Sequence, residues 1–156
     1  MIPVELSRIL ITETSDQQMI WLRERQGTRT FPIVIGLFEA IAIKRKLNDE
    51  AVERPLTHDL MASLISRLDG RVERIVVTAL KNTTFYAKIM IQRNGKLIEV
   101  DSRPSDAIAL AVRVAAPIYV EEELLDLVGK AEVRPDEEAE EEHEEEEEEQ
   151  QEEEEE

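Results

Sequence analysis

The feature that most limits what this chain can fold into is an abrupt change of composition near residue 130. Residues 131–156 hold 18 acidic residues against one basic residue, Arg134, and beyond Pro135 the only apolar residue is Ala139. Such a segment buries too little surface to offset its chain entropy, and like charges four residues apart oppose a helix at neutral pH. The sequence therefore predicts a disordered Glu-rich tail over 131–156 and a single folded domain over 1–130. The formal charge of −17 belongs wholly to that tail, because residues 1–130 carry 18 Lys+Arg and 18 Asp+Glu. A body of this length is enough for one proper hydrophobic core.

Several chemistries are excluded at once. The chain has no cysteine, so a disulfide framework, a thiolate nucleophile and a cysteine zinc site are all ruled out. The longest apolar stretches, residues 31–37 and 107–112, fall far short of the roughly 20 residues that a membrane helix needs. Glu5 and Arg8 interrupt the N-terminal apolar residues, which does not match a signal peptide. A cytoplasmic protein without membrane contact is expected.

Along the body, short apolar runs bounded by polar residues alternate with helical periodicity. Residues 4–12, 18–24 and 31–36 read as strands. Residues 37–47 read as a helix, with Phe38, Ile41, Ala42 and Leu47 near helical spacing and Lys44, Arg45 and Lys46 at the end that favours cations. Gly36 permits the turn into it. Thr57 is positioned to cap a second helix whose Leu60, Met61, Leu64, Ile65 and Leu68 form one stripe, ended by Asp69-Gly70. Strands follow over 72–80, 84–92 and 96–101, the last two joined by Arg93-Asn94-Gly95 in a hairpin turn. A third helix begins at or just after Pro104 and is apolar almost all round over 108–114, as a buried helix is. A short strand over 117–120 and a helix over 121–128 close the body. The order β-β-β-α-α-β-β-β-α-β-α indicates an α+β domain with helices packed on a largely antiparallel or mixed sheet.

Two segments stand out chemically: Arg54-Pro55-Leu56-Thr57-His58-Asp59 and Asp101-Ser102-Arg103-Pro104-Ser105-Asp106. Each sets an Arg-Pro pair, a hydroxyl and an acid at a helix entrance, where free N–H groups and the helix dipole favour an anion and an Arg fork adds bidentate binding. A purely structural reading is also open. In it Thr57 and Ser105 are N-caps, Asp59 and Asp106 are favourable first-turn acids, and proline starts the helix.

The segments FPIVIGLFEAIAI, RPLTHDLMASL and VDSRPSDAIALAVRVAAPIYV resemble the bifunctional nuclease family, a domain of bacteria and plants, and the likeness runs in order through most of residues 1–130. The resemblance implies an α+β domain and activity on DNA and RNA. A nuclease must activate water and stabilise extra charge on a phosphate, with carboxylate-held metal or with His, Lys and Arg. Asp101, Asp106, His58 and Asp59 are the candidates for catalysis. Arg54, Arg103, Ser105 and Thr57 are the candidates for holding the substrate. Glu39, Asp101 and Asp106, with Asp59, are oxygen donors suited to Mg²⁺ or Mn²⁺ if the fold gathers them.

A neutral body predicts weak to moderate affinity for nucleic acid, since phosphate binding normally rests on a basic surface. The only basic clusters are Lys44-Arg45-Lys46 and Arg23/Arg25/Arg29, and the aromatics placed to stack on bases are Trp21, Phe85 and Tyr86. Two other function classes remain: a non-catalytic module binding phosphate or nucleotide, and an assembly protein in which the two motifs form a subunit interface. A homo-oligomer, with a dimer foremost, fits all three.

Overall fold

The computed structural model describes residues 1–131; the acidic segment, apart from Ala131, lies outside the described residues. Among the described residues the chain forms β1 (Ile2–Leu10), β2 (Gln17–Glu24), β3 (Arg29–Gly36), α1 (Leu37–Leu47), α2 (Thr57–Arg67), β4 (Arg71–Lys81), β5 (Thr84–Arg93), β6 (Lys96–Ser102), α3 (Pro104–Val114), β7 (Ile118–Val120), α4 (Glu122–Val128) and a two-residue β8 (Lys130–Ala131). This is the expected α+β order, with β8 added. The strands join in one mixed sheet, β6-β5-β4-β7-β1-β2-β3-β8, antiparallel except where β7 runs parallel to β4.

Local chemistry explains the elements. Asn94 and Gly95 both take positive φ, the conformation that the tight β5–β6 hairpin requires. β1 starts two residues earlier than its hydropathy suggests because Ile2 pairs with Val120 of β7. It stops before Thr12 because the buried Gln18 side chain fastens the following turn. Its oxygen accepts Thr12 N–H at 2.6 Å and its amide donates to Ser15 C=O at 2.6 Å. Gly36 has ordinary extended backbone, so its role is steric rather than conformational: a Cβ there would fall 2.3 Å from Glu39 Oε2.

The sheet curls strongly. Phe31 on β3 stacks on Phe85 on β5 with ring centroids 5.9 Å apart, although four strands separate them in the sheet and a flat sheet would hold β3 and β5 more than 20 Å apart at about 4.8 Å per strand. The core fills the concave side, and α3 lies against it with Ala107, Ile108, Ala109, Leu110 and Ala111 all buried. Helices α1 and α2 flank α3 and scarcely touch β4 to β6. This arrangement brings the entrances of α2 and α3 and the first turn of α1 together on one side of the domain. No helix among the described residues is long and apolar enough to cross a membrane.

Candidate functional site

The two motifs do meet, but their residues divide into two groups. At the entrance of α3, Arg103 is the N-cap residue, Pro104 the first helical residue and Asp106 the third. The Arg103 Nε–H donates to Asp106 Oδ2 at 2.9 Å, and its Nη2 donates to Glu39 Oε1 of α1 at 2.7 Å. The other Asp106 oxygen, Oδ1, lies 2.9 Å from His58 Nε2 in α2. Four side chains from three helices thus form one chain, Glu39–Arg103–Asp106–His58. The His58 side chain is buried, while that of Arg103 is 65% exposed. Glu39 raises the Arg103 pKa above its ordinary value, and Asp106 adds to that. The Nη1 group of Arg103 takes no partner among the described residues.

At the entrance of α2 the same kind of motif is spent on the fold. Leu56, not Thr57, holds the N-cap position, and Ser105 likewise sits inside α3 rather than capping it. Thr57 fails as a cap because the helical turn begins one residue earlier. The donor that needs satisfying is then the Leu56 N–H, and Asp59 Oδ2 takes it at 2.9 Å. Asp59 Oδ1 accepts from Arg113 Nε at 2.7 Å, and Arg113 donates further to the carbonyls of Ala109 and Ala42. The Leu56 N–H above all, then Arg113, hold the Asp59 carboxyl below the usual carboxylate range against the opposing effect of burial. Arg113, its side chain 7% exposed, therefore ties α3 to α1 and α2.

The remaining candidates separate. Asp101 stands exposed on β6 opposite Lys88 and makes no hydrogen bond to Arg103, Glu39, Asp106 or His58. Arg54 is exposed in the loop before α2, Thr57 is exposed beside His58, and Ser105 is buried. No three His, Asp or Glu side chains among the described residues are grouped to hold a metal ion. Between Glu39 and Asp106 the place a cation would take is filled by the Arg103 guanidinium, so the residues as arranged do not form a metal cage.

Arg103 lies between two open hollows. One, of about 550 Å³, is lined by Phe38, Glu39, Arg45, Thr57, His58 and Asp106 among others. The second, of about 580 Å³, lies toward Gly36, Thr83, Thr84, Phe85 and Ser105. Arg103 is the residue common to both. The sequence reading missed two of these participants. Arg113 gives no local signal beyond being a charge in an otherwise apolar helix. Phe38 falls near helical spacing with Ile41, Ala42 and Leu47, yet it is 83% exposed. At 100° per residue it stands about 200° around the helix from buried Ala40.

A family model described as bifunctional nuclease domain matches residues 20–132. The chain belongs to the bifunctional nuclease family. An uncharacterized protein of Mycobacterium tuberculosis is 40% identical over 126 residues, covering 81% of this chain and 75% of its own length. Bifunctional nuclease 2 of Oryza sativa subsp. japonica is 26% identical over 129 residues, 80% of this chain and 40% of the rice protein. Bifunctional nuclease 1 of Arabidopsis thaliana is 25% identical over 109 residues, 67% of this chain and 34% of its own. This bifunctional nuclease domain thus corresponds to less than half of each plant relative.

Proposed function

We propose that this domain hydrolyses phosphodiester bonds in DNA or RNA without strong sequence preference, and that the chemistry takes place where Asp106 meets Arg103 and His58. The carrying observation is the convergence of a carboxylate–imidazole pair and a solvent-facing guanidinium on one hollow, in a domain of the bifunctional nuclease family. Arg103, held from behind by Glu39 and Asp106, presents Nη1 to a phosphoryl oxygen and supports the charge that builds there. Asp106, whose other oxygen orients His58, takes a proton from the attacking water and, as the phosphorus–oxygen bond to the departing sugar breaks, returns it to the leaving oxygen. Arg45 lines the same hollow as a second cation, so its formal charge balances that of Arg103, Glu39 and Asp106 taken together. That balance favours weak, salt-sensitive binding over tight binding of long duplexes.

A second reading is favoured by one observation: Asp106 and Glu39, the carboxylates nearest the hollow, are already engaged by Arg103. A non-catalytic phosphate-binding module would look the same and would bind its ligand saturably without turnover. The assembly reading is less favoured at these motifs, because Arg103, Asp106 and Asp59 already take partners within the chain.

Turnover of fluorescent single- and double-stranded DNA and RNA by extensively purified protein, with Mg²⁺, Mn²⁺ or EDTA, tests the proposal. Cleavage that Asp106→Asn abolishes in a folded protein supports it. Equal cleavage by the variant assigns the activity to a contaminant or to another site, and saturable binding without cleavage selects the phosphate-binding module.

For the dimer expected from the sequence we propose β6 as the surface. This is the long free edge of the sheet, it pairs with β5 without a bulge, and its Ile98 and Val100 lie opposite Ile91 and Ile89 on the core face but stay about 40% exposed. An edge of this kind invites a second copy to extend the sheet. Light scattering should then show a dimer that Ile98→Lys converts to a monomer; an unchanged mass would contradict this interface.

A further inference from the structure

Phe38 is the most exposed aromatic side chain among the described residues. Phe31 and Phe85 stack on each other, the Arg8 guanidinium lies 4.6 Å from the Trp21 ring centre, and Lys81 reaches the Tyr86 ring. Phe38 stands 83% exposed on the first turn of α1, a position that forgoes the burial an aromatic side chain ordinarily gains. It does so at the rim of the hollow that holds Arg103, His58 and Asp106. Across Arg103 the second hollow offers Phe85, Ser105 and the hydroxyls of Thr83 and Thr84. Each hollow lies in the size range of small-ligand pockets and has room for one nucleotide.

We propose that the substrate is single-stranded nucleic acid whose backbone crosses Arg103, with the base on the His58 side stacked against Phe38. This rests on the nucleic-acid reading above and adds the strandedness of the substrate and the residue that selects it. A strand crossing Arg103 places a phosphate at the guanidinium and one nucleotide in each hollow. Base faces in a duplex are covered by their neighbours, so one protruding ring reaches a face only where the strand is single. Stacking tolerates every base, which agrees with recognition that does not depend on sequence. Phe38 is here a specificity-determining residue and touches no reacting atom.

The test is the affinity of full-length protein for a short, nuclease-resistant phosphorothioate oligothymidylate at low salt, read by fluorescence anisotropy. The comparison set is Phe38→Ala, Phe38→Leu and Phe38→Trp, an abasic strand of equal length and a blunt duplex. Loss of one stacked base corresponds to a weakening of roughly ten-fold in Phe38→Ala. Phe38→Leu should weaken binding similarly, because it keeps apolar area but not the ring, and Phe38→Trp should retain it. The abasic strand and the duplex should bind alike whatever stands at position 38. Equal affinity of wild type and Phe38→Ala for the base-bearing strand would overturn the proposal, as would absence of strand binding. It would also be overturned if Phe38→Ala lowered the oligomeric mass while leaving binding per subunit unchanged. Binding that depends on Phe38 without any turnover would remove the nuclease reading and leave this inference standing.

Discussion

The entrances of α2 and α3 carry nearly the same residues, and each places an Asp at the third position of its helix, yet the two do different work. Asp59 turns back onto the Leu56 N–H and receives the buried Arg113, so both its oxygens serve the junction of three helices. Asp106 accepts no backbone N–H at its own helix start and instead joins the exposed Arg103 to His58. The difference lies in which arginine arrives and how far water reaches it. Arg113 has 7% of its side chain exposed and Arg103 has 65%. A buried arginine locks its carboxylate, whereas an exposed one keeps N–H groups for a visitor. The same motif is therefore read as structure or as site only once its long-range partner is known.

The largest effect should come from breaking the buried pair. Arg113→Met leaves Asp59 and two backbone carbonyls without their donor, and a loss of about 3 kcal/mol is expected in chemical denaturation. Arg103→Ala, by contrast, should cost less than about 1 kcal/mol of stability, as solvent-exposed pairs do, while removing phosphate binding and cleavage. Comparable stability losses in the two variants would erase the distinction between the entrances.

Next in size is the split between acids that look alike in sequence. Asp106→Asn should lower cleavage by about 100-fold or more, the scale of a lost acid–base group, with Asp101→Asn close to wild type. A large loss in Asp101→Asn alone would move the site toward β6.

Acid titration sharpens the comparison further. The Asp59 pKa is lowered in the folded protein, so the unfolded chain holds more protons than the folded one between the two values. The stabilisation from Asp59 is complete above the unfolded value near 3.9 and is lost as pH falls through the folded value. Denaturation midpoints measured from neutral pH into that acid range should fall less steeply in Asp59→Asn than in wild type. Parallel curves would mean that Asp59 contributes no such linkage.

The smallest expected effect is at the hydroxyl of the α2 entrance. A capping threonine is worth about 1 kcal/mol. Thr57 is exposed and does not cap, so Thr57→Ala should change stability by under about 0.3 kcal/mol. A full capping loss would return the helix start to Thr57.

Much of the fold was legible because its signals are local. Asn94-Gly95 set the hairpin, Pro104 started α3, and the apolar run after it gave a buried helix. What could not be read depends on separations that no local pattern carries. The curl of the sheet that stacks Phe31 on Phe85 comes from accumulated twist and from the bulges in β1 and β4. Glu39 meets Arg103 across 64 positions and Asp59 meets Arg113 across 54. Of the site, the sequence therefore offered the residue types and the two entrances. It offered neither the sorting of Asp59 from Asp106 nor the place of the strand that carries Asp101 at the edge of the sheet. Helical spacing grouped Phe38 with the core stripe because a periodicity of 3.6 does not say where the stripe ends, and only the burial of Ala40 and Ile43 fixes that face.

The most direct measurement compares Asp59→Asn and Asp106→Asn side by side, recording the denaturation midpoint and the single-strand cleavage rate per folded molecule. Asp59→Asn should unfold earlier but cleave at the wild-type rate while folded, and Asp106→Asn should keep its midpoint and lose cleavage. Wild-type cleavage by folded Asp106→Asn, or loss of cleavage confined to folded Asp59→Asn, would contradict the assignment of structure to one entrance and chemistry to the other.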